Sequence, residues 1–286
     1  MLPPGEVLQV DGRAVHMIRA GMGAPTVVFE AGAGQLALSW QAVQTGVAEF
    51  TSTIAWDRPG YGWSGAPRAG LDLDGVVQVL HGMLGEAGAK PPHVMVGHSL
   101  GALYVRRFIE LHPDEVAGVV LVDPTHEHQL AGAPLGMRLA FPVAMRLQGW
   151  LPGLVARSAG PRFRATARAS FPALSDEDIA DLVARHLAPE TLRLQFAENR
   201  EVLREAKRLR LAPGALGDLP LIILGAGRVP GGPRFARHRA EVQLPQLAAL
   251  STRGRVHVVA DSGHGIPLER PQAVVDAVAE VVRQGC

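Results

Sequence analysis

Residues 93–113 read HVMVGHSLGALYVRRFIELHP: a short apolar run, the turn Gly97-His98-Ser99-Leu100-Gly101, and a stretch with helical spacing of its apolar positions. HVMV has the length and β-branched content of a buried strand, and LGALYVRRFIELHP reads as the helix that follows it. A serine in so sharp a strand-to-helix turn takes a strained backbone conformation. The flanking glycines remove the side chains that would collide there. Its hydroxyl is then presented at the C-terminal edge of a sheet, where the amides of the following helix N-terminus can stabilise negative charge on an oxygen.

The alternation of strand and helix continues outward from this turn. Apolar runs recur at 26–29 (TVVF), 52–56 (STIAW), 118–122 (GVVLV), 221–224 (LIIL) and 256–259 (VHVV), each separated from the next by helical patterns. Such runs predict a mostly parallel sheet covered by helices on both faces. At the start of the chain, Glu6–Val10 and Ala14–Ile18 flank Asp11-Gly12, a dipeptide suited to a two-residue hairpin turn. With that hairpin the sheet has about eight strands, an α/β architecture. Ser39 is placed to cap a helix carrying Trp40, Val43 and Val47; Val76, Leu80, Met83 and Leu84 form a second stripe, and Val274, Val275, Val278 and Val282 a last one. From Leu130 to Leu211 no strand pattern is found. This stretch predicts an inserted helical cap (130–211) on a core formed by 1–129 and 212–286. Within it Ser175 and Asp178 have the spacing of a capping box, and a further helix is expected from about Pro189 to Leu209. Thirteen basic residues stand against eight acidic ones between Leu130 and Arg210, a pattern read first as a solvated face, with a preference for anionic substrates as the alternative.

Composition narrows the function. The 286 residues are 47% hydrophobic and 19% charged, enough apolar material for a sizeable core and too little charge for a disordered chain. A net charge of +1 gives no electrostatic ground for nucleic-acid or membrane-surface binding, so a small-molecule partner is expected. The single cysteine, Cys286, excludes an internal disulfide and a thiolate metal cluster. MLPPGEVLQV has neither a basic n-region nor an apolar h-region, which predicts a cytoplasmic location, and no stretch qualifies as a transmembrane segment. Neither a G-x-G-x-x-G ahead of a helix nor a Walker sequence is present. Oligomeric state is left open.

Serine is a poor nucleophile near neutral pH and needs a base to take its proton and a carboxylate to orient that base. His264, in Asp261-Ser262-Gly263-His264-Gly265 just beyond VHVV, emerges at the same sheet edge as Ser99 and is the natural base. The segments VVFEAGAG (27–34), DRPGYGWS (57–64), GHSLG (97–101), VVLVDPTHEHQ (119–129) and SGHGIPLERP (262–271) together resemble the serine hydrolases of the α/β-hydrolase fold family, esterase-like branch. The resemblance covers Glu6–Gln129 and Leu219 to the end, leaving the cap as the variable part. It implies an oxyanion hole formed by the backbone N–H groups of Ala33 and Leu100, with Glu30-Ala31-Gly32 where many members have His-Gly. It also implies a reaction that needs no cofactor and no metal.

The acid departs from the family's commonest pattern, in which an aspartate follows the second-last strand. Here that strand is LIIL and the loop GAGRVPGGP contains no carboxylate, while Asp218 precedes the strand and belongs to the wrong edge. Asp123 and Glu127, after GVVLV, remain, with Asp123 the first choice and Glu127 the second. His98 is expected to pack beneath the site. Asp57-Arg58-Pro59-Gly60 is expected to organise a nearby loop, and Trp40, His98, Trp63 and Trp150 are candidate pocket-lining residues. The cluster His126-Glu127-His128 is not read as a metal site, because adjacent side chains in a short loop seldom converge.

The substrate expected from the resemblance is a small-molecule carboxylic ester or related acyl compound. The same constellation serves perhydrolase or haloperoxidase-like chemistry, C–C bond hydrolysis and acyl transfer. A non-catalytic ligand-binding member of the fold is the alternative from another class. A serine at position 99, not an aspartate, disfavours the epoxide-hydrolase and dehalogenase branches, which use a carboxylate nucleophile.

Overall fold

The computed structural model describes residues 4–67, 72–128, 130–148, 153, 160–161, 163–165, 167–168, 174–206, 209 and 212–285. The N-terminal hairpin pairs β1 (Glu6–Val10) with β2 (Arg13–Ala20). Asp11 and Gly12 both take positive φ, +49° and +71°, as the twist of a two-residue hairpin requires. Then come β3 (Val27–Glu30), α1 (Gln41–Val47), β4 (Thr53–Trp56), α2 (Leu73–Glu86), β5 (His93–His98), α3 (Gly101–Leu111) and β6 (Val116–Val122). Helices α4 (Leu135–Gln148), α5 (Asp176–His186) and α6 (Pro189–Glu205) fall between β6 and β7 (Leu221–Ala226). The chain closes with α7 (Pro233–His238), α8 (Leu244–Ala248), β8 (Gly254–Val259), α9 (Ile266–Glu269) and α10 (Pro271–Gly285). No described helix is long and apolar enough to cross a membrane.

The sheet runs β1-β2-β4-β3-β5-β6-β7-β8. Only β2 runs against the other strands. Every residue of β3 to β7 is buried, because helices cover both faces. Alternate residues feed opposite layers: Met95, Val119 and Leu121 pack with Leu80, Met83 and Phe108 on one side. Val94, Val96 and Val120 pack with Trp40, Val43 and Val278 on the other. The β6-to-β7 helices join the first of these layers through Ile179, Leu182 and Val202.

Two local expectations meet different outcomes. Ser175 Oγ accepts from the Asp178 amide at 3.1 Å while the Asp178 carboxylate accepts from the Ser175 amide at 3.0 Å, the reciprocal cap that the spacing predicts. Ser39, by contrast, caps nothing. It lies inside a 3₁₀ turn, Ala37–Trp40, that leads into α1.

A buried ionic cluster ties α6 to the sheet. Glu198 of α6 accepts from Arg58 Nε at 2.7 Å, from the Tyr104 hydroxyl at 2.8 Å and from the Tyr61 hydroxyl. Arg58 also donates to Glu30 Oε1 at 2.7 Å, and Trp56 Nε1 to Glu30 Oε2 at 2.8 Å. One cation thus faces two carboxylates away from water. Burial pushes the Glu30 carboxyl up to about 7 in spite of Arg58. Breaking a buried pair leaves the remaining charge without compensation, so Glu198→Ala is expected to lower stability by about 3–5 kcal/mol. Urea unfolding of the two proteins measures this; a loss under about 1 kcal/mol would show that the cluster is dispensable.

Candidate active site

The elbow after β5 is built by steric necessity. Ser99 has φ of +52°, and a Cβ on Gly97 would lie 2.9 Å from the Ala102 amide nitrogen. A Cβ on Gly101 would lie 2.4 Å from the Glu30 carbonyl oxygen, so glycine is required where α3 starts against the end of β3. The elbow is pinned to β6 as well: the Ser99 amide donates to Val122 O, and its carbonyl accepts from the Thr125 amide, each at 3.0 Å.

His264, more than half exposed, bridges Ser99 and Asp123: its Nε2 lies 2.9 Å from Ser99 Oγ and its Nδ1 2.5 Å from Asp123 Oδ2. The other carboxylate oxygen, Oδ1, accepts from the Ala226 amide at 2.9 Å and from Arg239 Nη2 at 2.7 Å. Burial opposes the Asp123 charge, but the His264 hydrogen bond, the nearby Arg239 and the Ala226 amide outweigh it and hold the carboxyl at about 2. Asp123 itself has φ of +40°, the second non-glycine residue in the left-handed region at this sheet edge. Glu127 turns elsewhere, to Arg106 Nη2 at 2.5 Å. Of the two acid candidates, only Asp123 is bonded to His264.

The His264 loop is fastened from behind. His98 Nε2 lies 2.8 Å from the His264 carbonyl oxygen, and the Gly263 amide donates to Glu269 at 2.8 Å. Burial, and then His264, push the His98 imidazole down to about 4. His98 is therefore neutral near pH 7; it is buried and does not border the cleft at Ser99.

Ala33 and Leu100 both border a cleft of 290 Å³ that also exposes Ser99, Asn199, Leu203 and Arg239. Among the described residues neither amide has a protein acceptor, which leaves both N–H groups available for a ligand oxygen. Arg58 holds the loop that carries Ala33 by donating to Ala31 O at 2.7 Å and to Gly32 O at 2.9 Å. The Asp57–Gly60 segment thus organises the loop that carries Ala33. Asp57 adds a bond from the Ala37 amide at 2.7 Å and one with His16 Nδ1 at 2.7 Å.

Trp40 and Trp63 do not border this cleft. Trp40 is buried against Phe29, with ring centroids 4.9 Å apart, and Trp63 packs on His16 at 5.1 Å. Both serve the core, where a large ring removes the most surface from water. Trp150 lies outside the described residues. Sequence reasoning missed Arg239, Asn199 and the partnership of Arg58 with Glu198. No motif surrounds Arg239, Asn199 or Glu198, and each acts across more than 100 positions of chain or from a helix whose inward face is not evident from spacing. Among the described residues, the one trio with metal-ligating atoms within reach is His81, His112 and Glu115, at the opposite sheet edge. The two rings stack at 4.0 Å and 7°, so no ion can lie in both ring planes as arranged.

Comparison with known proteins agrees with this architecture. An esterase of Mycobacterium tuberculosis, Rv0045c, is 27% identical over 98% of this chain and 90% of its own length. The Bacillus subtilis protein YqjL is 34% identical over 116 residues, 40% of this chain; the match spans less than half of that relative, 46%. The solved structure of the epoxide hydrolase CorEH superposes with a TM-score of 0.75 at 22% identity, covering 96% of this chain and 97% of the other. The sequence profile of the alpha/beta hydrolase family matches residues 27–277. With its sheet order, elbow and profile in agreement, the chain belongs to the alpha/beta hydrolase family.

Proposed function

We propose that the protein is a serine hydrolase that cleaves a carboxylic ester, or a related acyl bond, of a small molecule through an acyl-enzyme. The observation that carries this reading is the unbroken relay from Ser99 Oγ through His264 to Asp123, at 2.9 and 2.5 Å. Similarity to an esterase over nearly the whole chain supports it. The hydroxyl nucleophile favours ester chemistry over the epoxide opening named for the CorEH relative.

In the first half-reaction His264 Nε2 takes the Ser99 proton as Oγ attacks the acyl carbon. The oxyanion receives the N–H groups of Ala33 and Leu100. Each such donor contributes about 3 kcal/mol to the barrier reduction. Collapse breaks the bond to the leaving alkoxide, which takes the proton from His264 and departs as the alcohol. Water then gives its proton to the same nitrogen and attacks the acyl-enzyme. The second collapse releases the carboxylic acid and returns the proton to Ser99. Asp123 stays ionised throughout, orienting Nδ1–H and stabilising the imidazolium. The helical segment between β6 and β7 acts as a cap, with Asn199 and Leu203 bordering the substrate.

Hydrolysis of a short p-nitrophenyl ester is expected to fall by at least about 10³-fold in Ser99→Ala, without added metal or cofactor. Equal rates in the two proteins would sink the proposal. Asp123→Asn is expected to lower kcat by about 10⁴-fold and Glu127→Gln by only a few-fold; the reverse order would transfer the acid role to Glu127.

Because Asp123 is held near 2, below its ordinary 3.8, its charge contributes stability that is complete above about pH 4 and vanishes as pH falls through about 2. This pH-dependent part is about 2 kcal/mol. Thermal melts should therefore show the gap between wild type and Asp123→Asn narrowing from pH 4 to pH 2; a constant gap contradicts the assigned ionisation.

A further inference from the structure

We infer that Arg239 forms an anion subsite and that the preferred substrate is a half-ester of a short dicarboxylic acid, its free carboxylate paired with this guanidinium. The inference rests on the ester-hydrolase reading of the same cleft and narrows it to a substrate class.

Arg239 borders the cleft beside Ser99, and its side chain retains 12% exposure. One nitrogen, Nη2, is committed to Asp123 Oδ1 at 2.7 Å and to Pro124 O at 3.3 Å. Among the described residues Nε and Nη1 have no protein acceptor, yet they are not among the sealed, unpartnered atoms of the interior. These two nitrogens therefore keep some exposure, on a side chain that lines the cleft. A guanidinium anchored by one nitrogen and open at the others is preorganised to receive a carboxylate.

Charge balance at the cleft points the same way. A triad aspartate alone makes its site negative and repels an anionic substrate. Here Arg239 cancels the Asp123 charge, and those two residues and His264 are the only titratable side chains bordering the cleft among the described residues. Glu198, on the turn beside Asn199, faces inward to Arg58 and the two tyrosines and adds no field at the mouth. Leu100 and Leu203 also line the cleft, apolar surface that suits a short methylene spacer between the scissile ester and a carboxylate held by Arg239.

The test compares monomethyl glutarate with methyl pentanoate, which matches it in length and replaces the carboxylate by a methyl group, using proton release at pH 7. Wild type is expected to favour the anion in kcat/KM by about tenfold, and Arg239→Gln to bring the ratio to about one. Taking the ratio within each protein removes any effect of the substitution on Asp123. A preference for the neutral ester, or an anion preference that survives in Arg239→Gln, overturns the subsite. If that variant does not fold, the wild-type ratio is followed as NaCl is raised: it should decline, and a salt-independent ratio overturns the inference. Turnover of neither ester also overturns it. Labelling of Ser99 by diisopropyl fluorophosphate then separates the two readings, since a labelled serine preserves the hydrolase and an unlabelled one removes both.

Discussion

The start of α3 lies so close to the end of β3 that no side chain fits between them. The site is a consequence of that contact. Gly101 approaches the Glu30 carbonyl, Ser99 is forced to positive φ, and the hydroxyl rises at the sheet edge beside the loop that begins at Ala31. Ser99 and the loop that carries Ala33 are thereby brought together by backbone packing before any side chain contributes. Arg58 then fixes the loop by bonding two of its carbonyls, and Glu198 fixes Arg58. A helix from the β6-to-β7 segment is in this way wired to the loop that carries Ala33. The same helix therefore supports the loop through Glu198 and borders the cleft through the next residue, Asn199.

His264 and Asp123 are positioned by different means. His264 sits on an exposed loop whose backbone is held by His98 and Glu269, so the most exposed member of the relay has buried or ionic support beneath it. Asp123 is held by the ladder: its amide donates to Leu224 O at 2.7 Å, and the end of the neighbouring strand returns the Ala226 amide to its carboxylate. The strand β7, whose following loop carries no carboxylate, thus supports the carboxylate that follows its neighbour β6. A carboxylate with three donors remains charged despite burial, as the electrostatics of that position require.

Much of this was legible in sequence, for identifiable reasons. Strand runs such as HVMV and LIIL were readable because residues buried on both faces leave no polar positions to blur them. Ser99 and His264 stood out because glycines mark the backbone geometry on either side of them. Asp123 was reached only by excluding the β7 loop, and its rival Glu127 was separated by a contact with Arg106 that no spacing encodes. Arg58 was expected within a segment that organises a nearby loop, but its place in the ionic cluster was not legible, since its partner Glu198 lies 140 positions away. The places of Trp40 and Trp63 were left open for a plain physical reason: a large ring satisfies a core as well as a pocket, and composition does not distinguish the two. Arg239 was invisible because an arginine in a helical, arginine-rich segment reads as solvated surface.

The central claim is that Ser99 carries the acyl group. Acid quench of the protein during turnover of a p-nitrophenyl ester, followed by mass analysis of the peptide containing Ser99, tests it most directly. The account predicts the mass of the acyl group on that peptide, located at Ser99 and absent from Ser99→Ala. Turnover that leaves Ser99 unmodified while another residue carries the acyl group would contradict it.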